Sequence, residues 1–453
     1  MNRKSHNIDM TEGPLLGKVF AFTVPLFLTA ALQLLYNAAD VIVVGKFAGD
    51  TSLAAVGSTS ALINLIVNLF MGMSVGAGVI VSQAIGAKNK ERIEKTVHTS
   101  MLLSLFLGIG VGLLGFFISK QILVLMGTPE DVIYKATVYV KIYFLGLPAF
   151  MVYNFGASIL RAAGDTKRPL YILTVAGMIN VVFNIIFVVC FKLDVAGVAI
   201  ATIISQYISA AVITVILIKD KEDYRLCPSK LKIDTKCLKF IVQYGVPMGI
   251  QSSMFSLSNV LIQSSINSFG TTVMAGNAAA ANLEAFIYTA ANSGAQAAIS
   301  FTGQNFGAKK LGRIKNVIFC SMLCSAVLYL VVGSIVFIFK RPLLSFYTQS
   351  DAVITAGIKR FLIVSSIEIL CGFMEIMANV VRGMGKSLVP MITTLFFVCV
   401  LRVVCIYTVF AKYHIIDVLY WSYPVTWVLA LISHTIYFLY VYKQAKNNLK
   451  LNL

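Results

Sequence analysis

Residues 83–88 read Gln-Ala-Ile-Gly-Ala-Lys, and residues 304–309, 221 positions later, read Gln-Asn-Phe-Gly-Ala-Lys. Each copy closes an apolar run and opens a short basic stretch. Two further landmarks recur in the same order: Arg-Ala-Ala-Gly at 161–164 returns as Arg-Gly-Met-Gly at 382–385, and Val24-Pro25 returns as Val246-Pro247. Three landmarks in one order indicate an internal repeat, so the chain is built from two similar halves.

The composition around these landmarks is that of a membrane protein. Of the 453 residues, 58% are hydrophobic and only 12% are charged, which leaves too little polar surface to cover a water-soluble globule. A helix needs about 20 apolar residues to cross a bilayer, and the chain divides into twelve apolar runs, six in each half. We therefore predict an all-α integral membrane protein with twelve transmembrane helices.

The repeat also predicts how the halves are arranged. Six spans are an even number, so both halves insert with the same orientation and form two parallel six-helix lobes with a central cleft. We expect an N-terminal lobe at 1–218, a cytoplasmic linker at 219–236 and a C-terminal lobe at 237–453. Most of the 37 Lys and Arg residues fall in alternate loops, which places both termini in the cytoplasm of a multi-pass protein of the cell (inner or plasma) membrane.

Several functions are excluded by the residues present. The basic residues behind the net charge of +18 punctuate apolar segments and form no solvated face with interleaved aromatics, so nucleic acid is not a predicted partner. The eight cysteines and four histidines show no metal-ligand spacing, and no metal or other cofactor is expected. Gly385-Lys386-Ser387 resembles the end of a phosphate-binding loop, but Val380 stands where that loop needs glycine. The protein is not predicted to be an enzyme, and the polar start of the chain argues against a cleaved signal peptide.

Polar side chains within the spans are the candidate functional residues, because placing a charge in hydrocarbon costs at least about 2.5 kcal/mol. Five of them fall at similar depth in the outer half of the first lobe: Asp40, Tyr139, Asn180, Asn184 and Thr202. Burial favours a neutral Asp40, whereas the amides and hydroxyl stabilise its charged form, so the group is a candidate proton or cation site. The alternatives are an interfacial Asp40 and simple interhelical hydrogen bonds from Asn and Thr.

The second half carries three acids of its own, Glu284, Glu368 and Glu375, which could face a cationic substrate, although Glu284 could also be interfacial. Aromatic residues such as Tyr36 could stack on cationic drugs. Arg402, inside the eleventh span, requires a carboxylate or carbonyl partner, and a structural role is favoured for it. Pro25 and Pro247 interrupt the first and seventh spans, as fixed kinks or as hinges that respond to Asp40.

Together these features resemble the multidrug and toxic compound extrusion (MATE) family, in a bacterial DinF-like or MepA-like branch, over essentially the whole chain. The resemblance is carried by Val24-Pro25, Asp40, Leu53-Ala54-Ala55-Val56-Gly57, the two Gly-Ala-Lys loops and Arg161–Thr166 with Pro169. It implies an antiporter that expels organic, often cationic, drugs or toxic compounds by alternating access, in exchange for protons or sodium. The major facilitator superfamily, which also has six plus six spans, typically has Gly-x-x-x-Asp-Arg after its second span, and that Asp is absent here.

The resemblance also assigns roles. Asp40, Tyr139, Asn180, Asn184 and Thr202 match the cation-binding network of the N-terminal lobe in similar transporters. Asn184 departs from relatives that have Asp, which favours protons over sodium as the coupling ion. In the second lobe, Gln251 and Asn259, with Gln263, would line the substrate cleft.

Two other functions stay open. A flippase for lipid-linked precursors, from the same superfamily, would be expected to have extra spans and a strongly cationic cavity. A membrane receptor or scaffold without transport would not need acids inside its spans. For the antiporter, the expected partners are small organic cations and the lipid bilayer, and the protein is expected to be a monomer.

Overall fold

Every regular element in the computed structural model, which describes residues 7–451, is helical. In a bilayer each backbone N–H and C=O must be satisfied within the protein, and a helix achieves this for an apolar segment on its own. The first half forms six long helices: α1 Leu15–Phe47, α2 Asp50–Gly86, α3 Lys90–Leu125, α4 Glu130–Ala162, α5 Lys167–Asn184 with a π-helical continuation Ile185–Cys190, and α6 Asp194–Lys219.

The second half repeats this order with more interruptions. Its helices are α7 Thr235–Asn267, α8 Thr271–Gly307, α9 Leu311–Ile338, α10 Lys340–Ser345, α11 Asp351–Ile363, α12 Ile369–Gly383, α13 Leu388–Thr394, α14 Leu401–Cys405, α15 Ala411–Tyr413 and α16 Ile416–Leu451. The stretches Leu395–Val400 and Ile406–Phe410 are π-helical.

Nine of the helices described between residues 7 and 451 are long and apolar enough to cross a membrane by themselves. The tenth predicted span is broken into α11 and α12, each shorter than a bilayer crossing. In the seventh and eighth, α7 carries six Ser and three Gln, and α8 carries eleven Ala and four Asn. The predicted all-α membrane fold is confirmed.

The backbone reproduces the internal repeat. Lys88 and Lys309, which end the two Gly-Ala-Lys copies, both have left-handed backbone with φ of 54° and 58°. In each case the third residue beyond the helix closes a wide turn: the N–H of Asn89 donates to the carbonyl of Ala84 at 3.0 Å, and that of Lys310 to the carbonyl of Asn305 at 2.9 Å. These bonds satisfy carbonyls that the helix end would leave unpaired. The repeated sequence therefore encodes a repeated helix stop.

The chain divides into two compact units. One takes Leu28–Gly249 with the chain up to Ile8, and the other takes Asp9–Phe27 with the chain from Ile250 onward. Helices α1 and α7 each contribute to both units, and the division falls two residues after Pro25 and two residues after Pro247. The predicted boundaries at 1–218, 219–236 and 237–453 stay a prediction, and the two chain ends lie outside the described residues.

The predicted linker packs on the first unit. Tyr224 and Leu226 are 3% and 4% exposed and belong to the apolar core that includes residues of α2 to α4. Asp220 accepts from the Arg168 guanidinium at 2.7 Å. Burial alone would raise the pKa of Asp220, but the hydrogen bond from Arg168 and the backbone N–H groups of Glu222 and Lys221 lower it overall.

Small residues set the closest helix contacts of the first unit. Gly108, Gly112 and Gly115 of α3 are buried against α4. A Cβ added to Gly108 would lie 2.5 Å from the Cα of Pro148, which no real contact allows. The outer face of α3 carries large apolar groups such as Phe117, 70% exposed, as expected of a surface that meets lipid tails.

In the second unit the break between α11 and α12 is stabilised by α9. The Tyr329 hydroxyl donates to the carbonyls of Ser365 and Ser366, at 2.8 Å each. It thereby compensates carbonyls that lose their helical partners at the break. Glu368 immediately precedes α12, so the break places its carboxylate at a helix end inside the unit.

Candidate functional site

Asp40 is positioned by the packing of Tyr36, one helical turn earlier on α1. The Tyr36 hydroxyl donates to the carbonyl of Thr174 on α5 at 3.2 Å. Its ring lies directly over Gly177, where an added Cβ would fall 1.9 Å from the ring. Only glycine leaves room for this contact, which holds the outer part of α1 on α5 and brings Asp40 opposite Asn184. The structure thus places Tyr36, a predicted cleft residue, in the α1–α5 contact.

Four of the five predicted coupling residues form one hydrogen-bonded chain. Asn184 donates through its Nδ2 to Asp40 Oδ1 and, at 3.3 Å, to Asn180 Oδ1. Asn180 Nδ2 in turn donates to Thr202 Oγ1 at 3.3 Å, and Thr202 donates to the carbonyl of Val198 at 2.9 Å. Asn184 and Asn180 are 0% and 6% exposed. A single carboxylate therefore lies at one end of a buried row of polar groups from α1, α5 and α6.

Tyr139 of α4, the fifth predicted residue, lies in the same region. It is 9% exposed and packs in the apolar cluster that contains Val43 and Val44, one turn beyond Asp40. All five predicted coupling residues are thus brought together within the first unit.

Asn184 is the residue that contacts the carboxylate of Asp40. It turns its Nδ2 toward Asp40, and its Oδ1 is buried without a hydrogen-bond partner. It is also the last residue before the π-helical stretch Ile185–Cys190, an irregularity that is frequent at functional sites. No group of three or more His, Cys, Asp or Glu side chains suited to a metal ion occurs in the described part of the chain. The one described hydrogen bond to Asp40 is donated by the neutral amide of Asn184.

The predicted acids of the second unit fall into two groups, and the first is near the break. Glu284 of α8 accepts two bonds from the Arg360 guanidinium, at 2.9 Å each, and Arg360 also donates to Asn277 Oδ1 at 2.9 Å. Glu368 is 2% exposed and its Oε2 has no partner. Glu284 is therefore neutralised by a cation, whereas Glu368 is not hydrogen-bonded at that oxygen.

The second group lies around Arg382 of α12. Arg382 donates to Gln251 Oε1 at 2.5 Å and to Asn379 Oδ1 at 2.7 Å, and its Nη1 lies 3.5 Å from Glu375 Oε2. Gln251 Nε2 donates to the other oxygen of Glu375 at 3.3 Å. The structure thus joins Gln251 and Glu375 in one network, while Asn259, whose Oδ1 is buried without a partner, lies apart from it.

The expectation for Arg402 is wrong. Its Nε donates to the hydroxyl of Thr426 at 3.0 Å, and its guanidinium lies 4.3 Å from the ring centre of Tyr423. Neither Nη1 nor Nη2 has a hydrogen-bond partner among the described residues. A hydroxyl and aromatic faces take the place of the predicted carboxylate or carbonyl.

Sequence reasoning missed the two cations that neutralise predicted acids. Arg360 lies near the beginning of the tenth apolar run and Arg382 lies in the loop beyond its inner end, so neither stood out as a charge inside a span. The available signal for Arg382 was its place in the repeated Arg-x-x-Gly landmark. For Arg360 the signal was weaker, because it lies eight residues before Glu368 on the same predicted span.

Comparisons with known proteins agree with this arrangement of two halves. The model of the MatE family matches twice, at residues 25–186 and 247–408. The "Probable multidrug resistance protein YoeA" of Bacillus subtilis is 28% identical over 93% of each chain. The "Probable multidrug resistance protein NorM" of Thermotoga maritima is 24% identical over 80% of this chain and 79% of its own.

Solved structures share the fold. A structure described as the outward-facing conformation of a multidrug resistance MATE family transporter of the MOP superfamily superposes with a TM-score of 0.91 and 21% identity, over 98% of this chain and 100% of its own. A crystal structure of MATE in complex with MaD3S gives the same score, identity and coverage.

Proposed function

The chain belongs to the MatE family, a family of multidrug efflux transporters and not of enzymes, and from this premise we propose that it exports organic cations by proton-coupled antiport. Asp40 is the proton-binding group in this proposal. Alternating access would bring Asp40 and the substrate-binding acids to the two sides of the membrane in turn. Cytoplasmic termini, a place in the cell membrane and a monomeric state are part of the same proposal.

The observation that carries the proposal is the hydrogen bond from Asn184 Nδ2 to Asp40 Oδ1. A hydrogen bond to a charged acceptor is roughly twice as strong as a neutral one, so protonation of Asp40 weakens the link between α1 and α5. Deprotonation restores it. The occupancy of Asp40 by a proton is thereby coupled to how firmly the outer part of α1 is held.

The choice of the proton over sodium rests on the orientation of Asn184. A sodium ion prefers several oxygen ligands, and here an N–H donor faces the carboxylate instead of an oxygen. A proton on Asp40 needs no further ligand. The single carboxylate of this site, next to an amide donor, therefore supports proton coupling.

The same protonation step offers a role for the prolines. Pro25 lies in α1 fifteen residues before Asp40, and a proline removes one helical hydrogen bond and weakens the helix at that point. We propose that Pro25 in α1 and Pro247 in α7 act as hinges. Release of the bond to Asn184 would allow α1 to bend at Pro25.

Substrate recognition is proposed for the acids of the second unit. Glu368 is buried with an unpartnered oxygen, so a cationic substrate would supply the missing charge partner. Glu284, Glu375 and Gln251 already have partners, which suits them to position neighbouring groups. Asn259 and Tyr36 complete the set proposed to contact or support the substrate.

Transport in liposomes tests the proposal. Purified protein is reconstituted, a pH gradient or a sodium gradient is imposed separately, and uptake of a fluorescent organic cation is followed. We expect the pH gradient to drive transport and the sodium gradient to have no effect. Asp40→Asn, which removes the titratable group with little change in volume, should abolish proton-driven transport.

Asp131→Asn is the matched control, because Asp131 is an exposed carboxylate at the start of α4. It should transport like the wild type. Proton-driven transport that survives Asp40→Asn would remove Asp40 from the coupling mechanism. Transport driven by sodium alone would contradict the choice of ion.

A further inference from the structure

The second unit buries a positive charge that no acid neutralises. Arg402 is 1% exposed and is among the largest fully buried side chains. Its guanidinium is always charged, yet within residues 7–451 its one described hydrogen bond is donated by Nε to Thr426 Oγ1 at 3.0 Å. Nη1 and Nη2, the two parallel donors, are buried without partners. Burying an unpaired charge costs free energy, so the burial of these two unpaired guanidinium nitrogens requires an explanation.

Aromatic rings surround Arg402. Its guanidinium lies 4.3 Å from the ring centre of Tyr423, 5.7 Å from that of Phe255 and 6.0 Å from that of Trp427. Cation–π attraction offsets part of the cost of burial. It acts on the face of the guanidinium, however, and leaves the N–H donors at its edge unsatisfied.

A second buried cation shares the ring of Tyr423. Arg360 lies 5.4 Å from the same ring centre and is 5% exposed. Glu284 accepts two bonds from Arg360 and neutralises it. Two guanidinium groups therefore share the ring of Tyr423, and among the described residues only Arg360 is paired with a carboxylate.

The internal repeat relates these two guanidinium groups to the coupling residues of the first half. At an offset of 221 residues Tyr139 pairs with Arg360, Thr202 with Tyr423, Asn184 with Cys405, and Asn180 with Leu401, the residue before Arg402; at an offset of 222 Asp40 pairs with Ile262. The region that holds an acid in the first half therefore holds guanidinium groups in the second. Arg402 also lies between the π-helical stretches Leu395–Val400 and Ile406–Phe410, irregularities of the kind found at functional sites.

We propose that Arg402 binds the carboxylate of an organic substrate, so that the protein takes zwitterions as well as simple cations. The proposal rests on the proposed function, because it concerns the substrate of the same transporter. The paired Nη1–H and Nη2–H donors match the two oxygens of a carboxylate. Phe255, Tyr423 and Trp427 provide aromatic faces for the rings of the ligand.

A pair of dyes that differ only at the carboxylate tests this site. Rhodamine 110 carries a free carboxylate, and rhodamine 123 is its methyl ester, with the same ring system and cationic group. Binding of each to the purified protein in detergent is measured by fluorescence anisotropy, without any ion gradient. We expect Arg402→Gln to weaken binding of rhodamine 110 by about tenfold or more, as expected for loss of a charge-assisted bidentate contact, and to leave rhodamine 123 within about twofold.

Two further variants make the result specific. Arg402→Lys keeps the charge and removes the fork, so it should weaken rhodamine 110 binding less than Arg402→Gln does. Lys412→Gln removes an exposed cation from the same segment and should change neither dye. If Arg402→Gln does not give a monodisperse protein, the comparison is made with Arg402→Lys, for which a loss confined to rhodamine 110 is still expected.

Equal losses for both dyes would overturn the proposal and assign Arg402 to packing, and so would unchanged binding of rhodamine 110. Because the assay uses no gradient, its outcome is independent of coupling. Selective loss of rhodamine 110 binding in a protein that shows no proton-driven transport would contradict the proposed function alone. If rhodamine 123 is transported normally and the Arg402 variants lose binding of both dyes equally, only the proposed carboxylate site at Arg402 is contradicted.

Discussion

Asp40 and Glu284 are both carboxylates inside membrane spans, yet their surroundings suit them to different tasks. Asp40 accepts a described hydrogen bond from a neutral amide, that of Asn184. Glu284 accepts two bonds from the Arg360 guanidinium, at 2.9 Å each. A carboxylate next to an amide can gain and lose its proton without leaving a buried cation unpaired. Glu284 is paired with a guanidinium group, so it is suited to a structural role.

The pair formed by Glu284 and Arg360 predicts a strong asymmetry between single and double variants. Arg360→Gln leaves a charged Glu284 buried without its partner and should destabilise the protein by about 3–5 kcal/mol. The double variant Glu284→Gln with Arg360→Gln removes both charges, and much of the stability should return. Thermal unfolding of the purified protein in detergent compares Arg360→Gln, Glu284→Gln and the double variant with the wild type.

Additive effects in this double-mutant cycle would show that the two side chains do not depend on each other. The conservative comparison is Arg360→Lys, which keeps the charge and loses the two-pronged contact. It should fall between the wild type and Arg360→Gln.

The depth argument from the sequence correctly grouped Asp40 with Asn184, Asn180 and Thr202, because residues at one depth of neighbouring helices can meet. The bonding pattern within the group could not be predicted, because it depends on the rotation of each helix about its axis. Tyr36 illustrates this point. Because it is aromatic, it was expected to contact a cationic substrate. In the structure its ring fills the space left by Gly177, and no pattern in the sequence encodes this fit.

At the scale of elements, glycine positions on α3 separate a packed face from an open one. Gly108 lies against the backbone of Pro148, where an added Cβ would be 2.5 Å from its Cα, whereas Gly110 has no heavy atom within 4 Å of that position. Overpacking a close helix contact costs about 1–3 kcal/mol. We therefore expect Gly108→Ala to lower the thermal unfolding midpoint in detergent.

Gly110→Ala is the matched control on the same helix. Alanine forms helices better than glycine does, by up to about 1 kcal/mol, so this variant should be as stable as the wild type or more stable. Equal destabilisation by both substitutions would mean that α3 and α4 do not pack through Gly108.

Breaks in the helices were the least predictable elements. The tenth span reads as one continuous apolar run, yet it ends at Ile363 and resumes at Ile369. The break is stabilised from another helix by the Tyr329 hydroxyl, and such tertiary support leaves no local signal. By contrast, the helix stops at Lys88 and Lys309 are encoded locally by Gly-Ala-Lys. The repeated sequence therefore predicted where these two helices end.

At the scale of the whole molecule, the repeat was the strongest prediction, and the two matches of the family model at 25–186 and 247–408 confirm it. The halves have the same order of elements but differ in chemistry. One has an acid with amides, at Asp40 and Asn184, and the other has guanidinium groups at Arg360 and Arg402. A duplicated scaffold with unlike polar residues is what an exchanger of two different cargoes requires.

Orientation in the membrane remains a prediction at this scale, and two native cysteines can test it. Cys190 is exposed at the end of the fifth span, predicted to be outside, and Cys227 lies in the loop predicted to be cytoplasmic. A membrane-impermeant maleimide should label Cys190 in right-side-out vesicles and Cys227 in inverted vesicles. Cys190→Ser should remove the first signal, and the opposite labelling pattern would place both termini outside.

The central claim is that substrate and protons move in opposite directions, and the most direct measurement is proton movement driven by substrate alone. Liposomes that contain the protein are loaded with an organic cation and a trapped pH dye, the membrane potential is clamped, and no pH or sodium gradient is imposed. We predict that substrate leaving the lumen acidifies it, and that Asp40→Asn abolishes this change. A lumen whose pH stays constant while the substrate leaves, or that becomes alkaline, would contradict proton antiport.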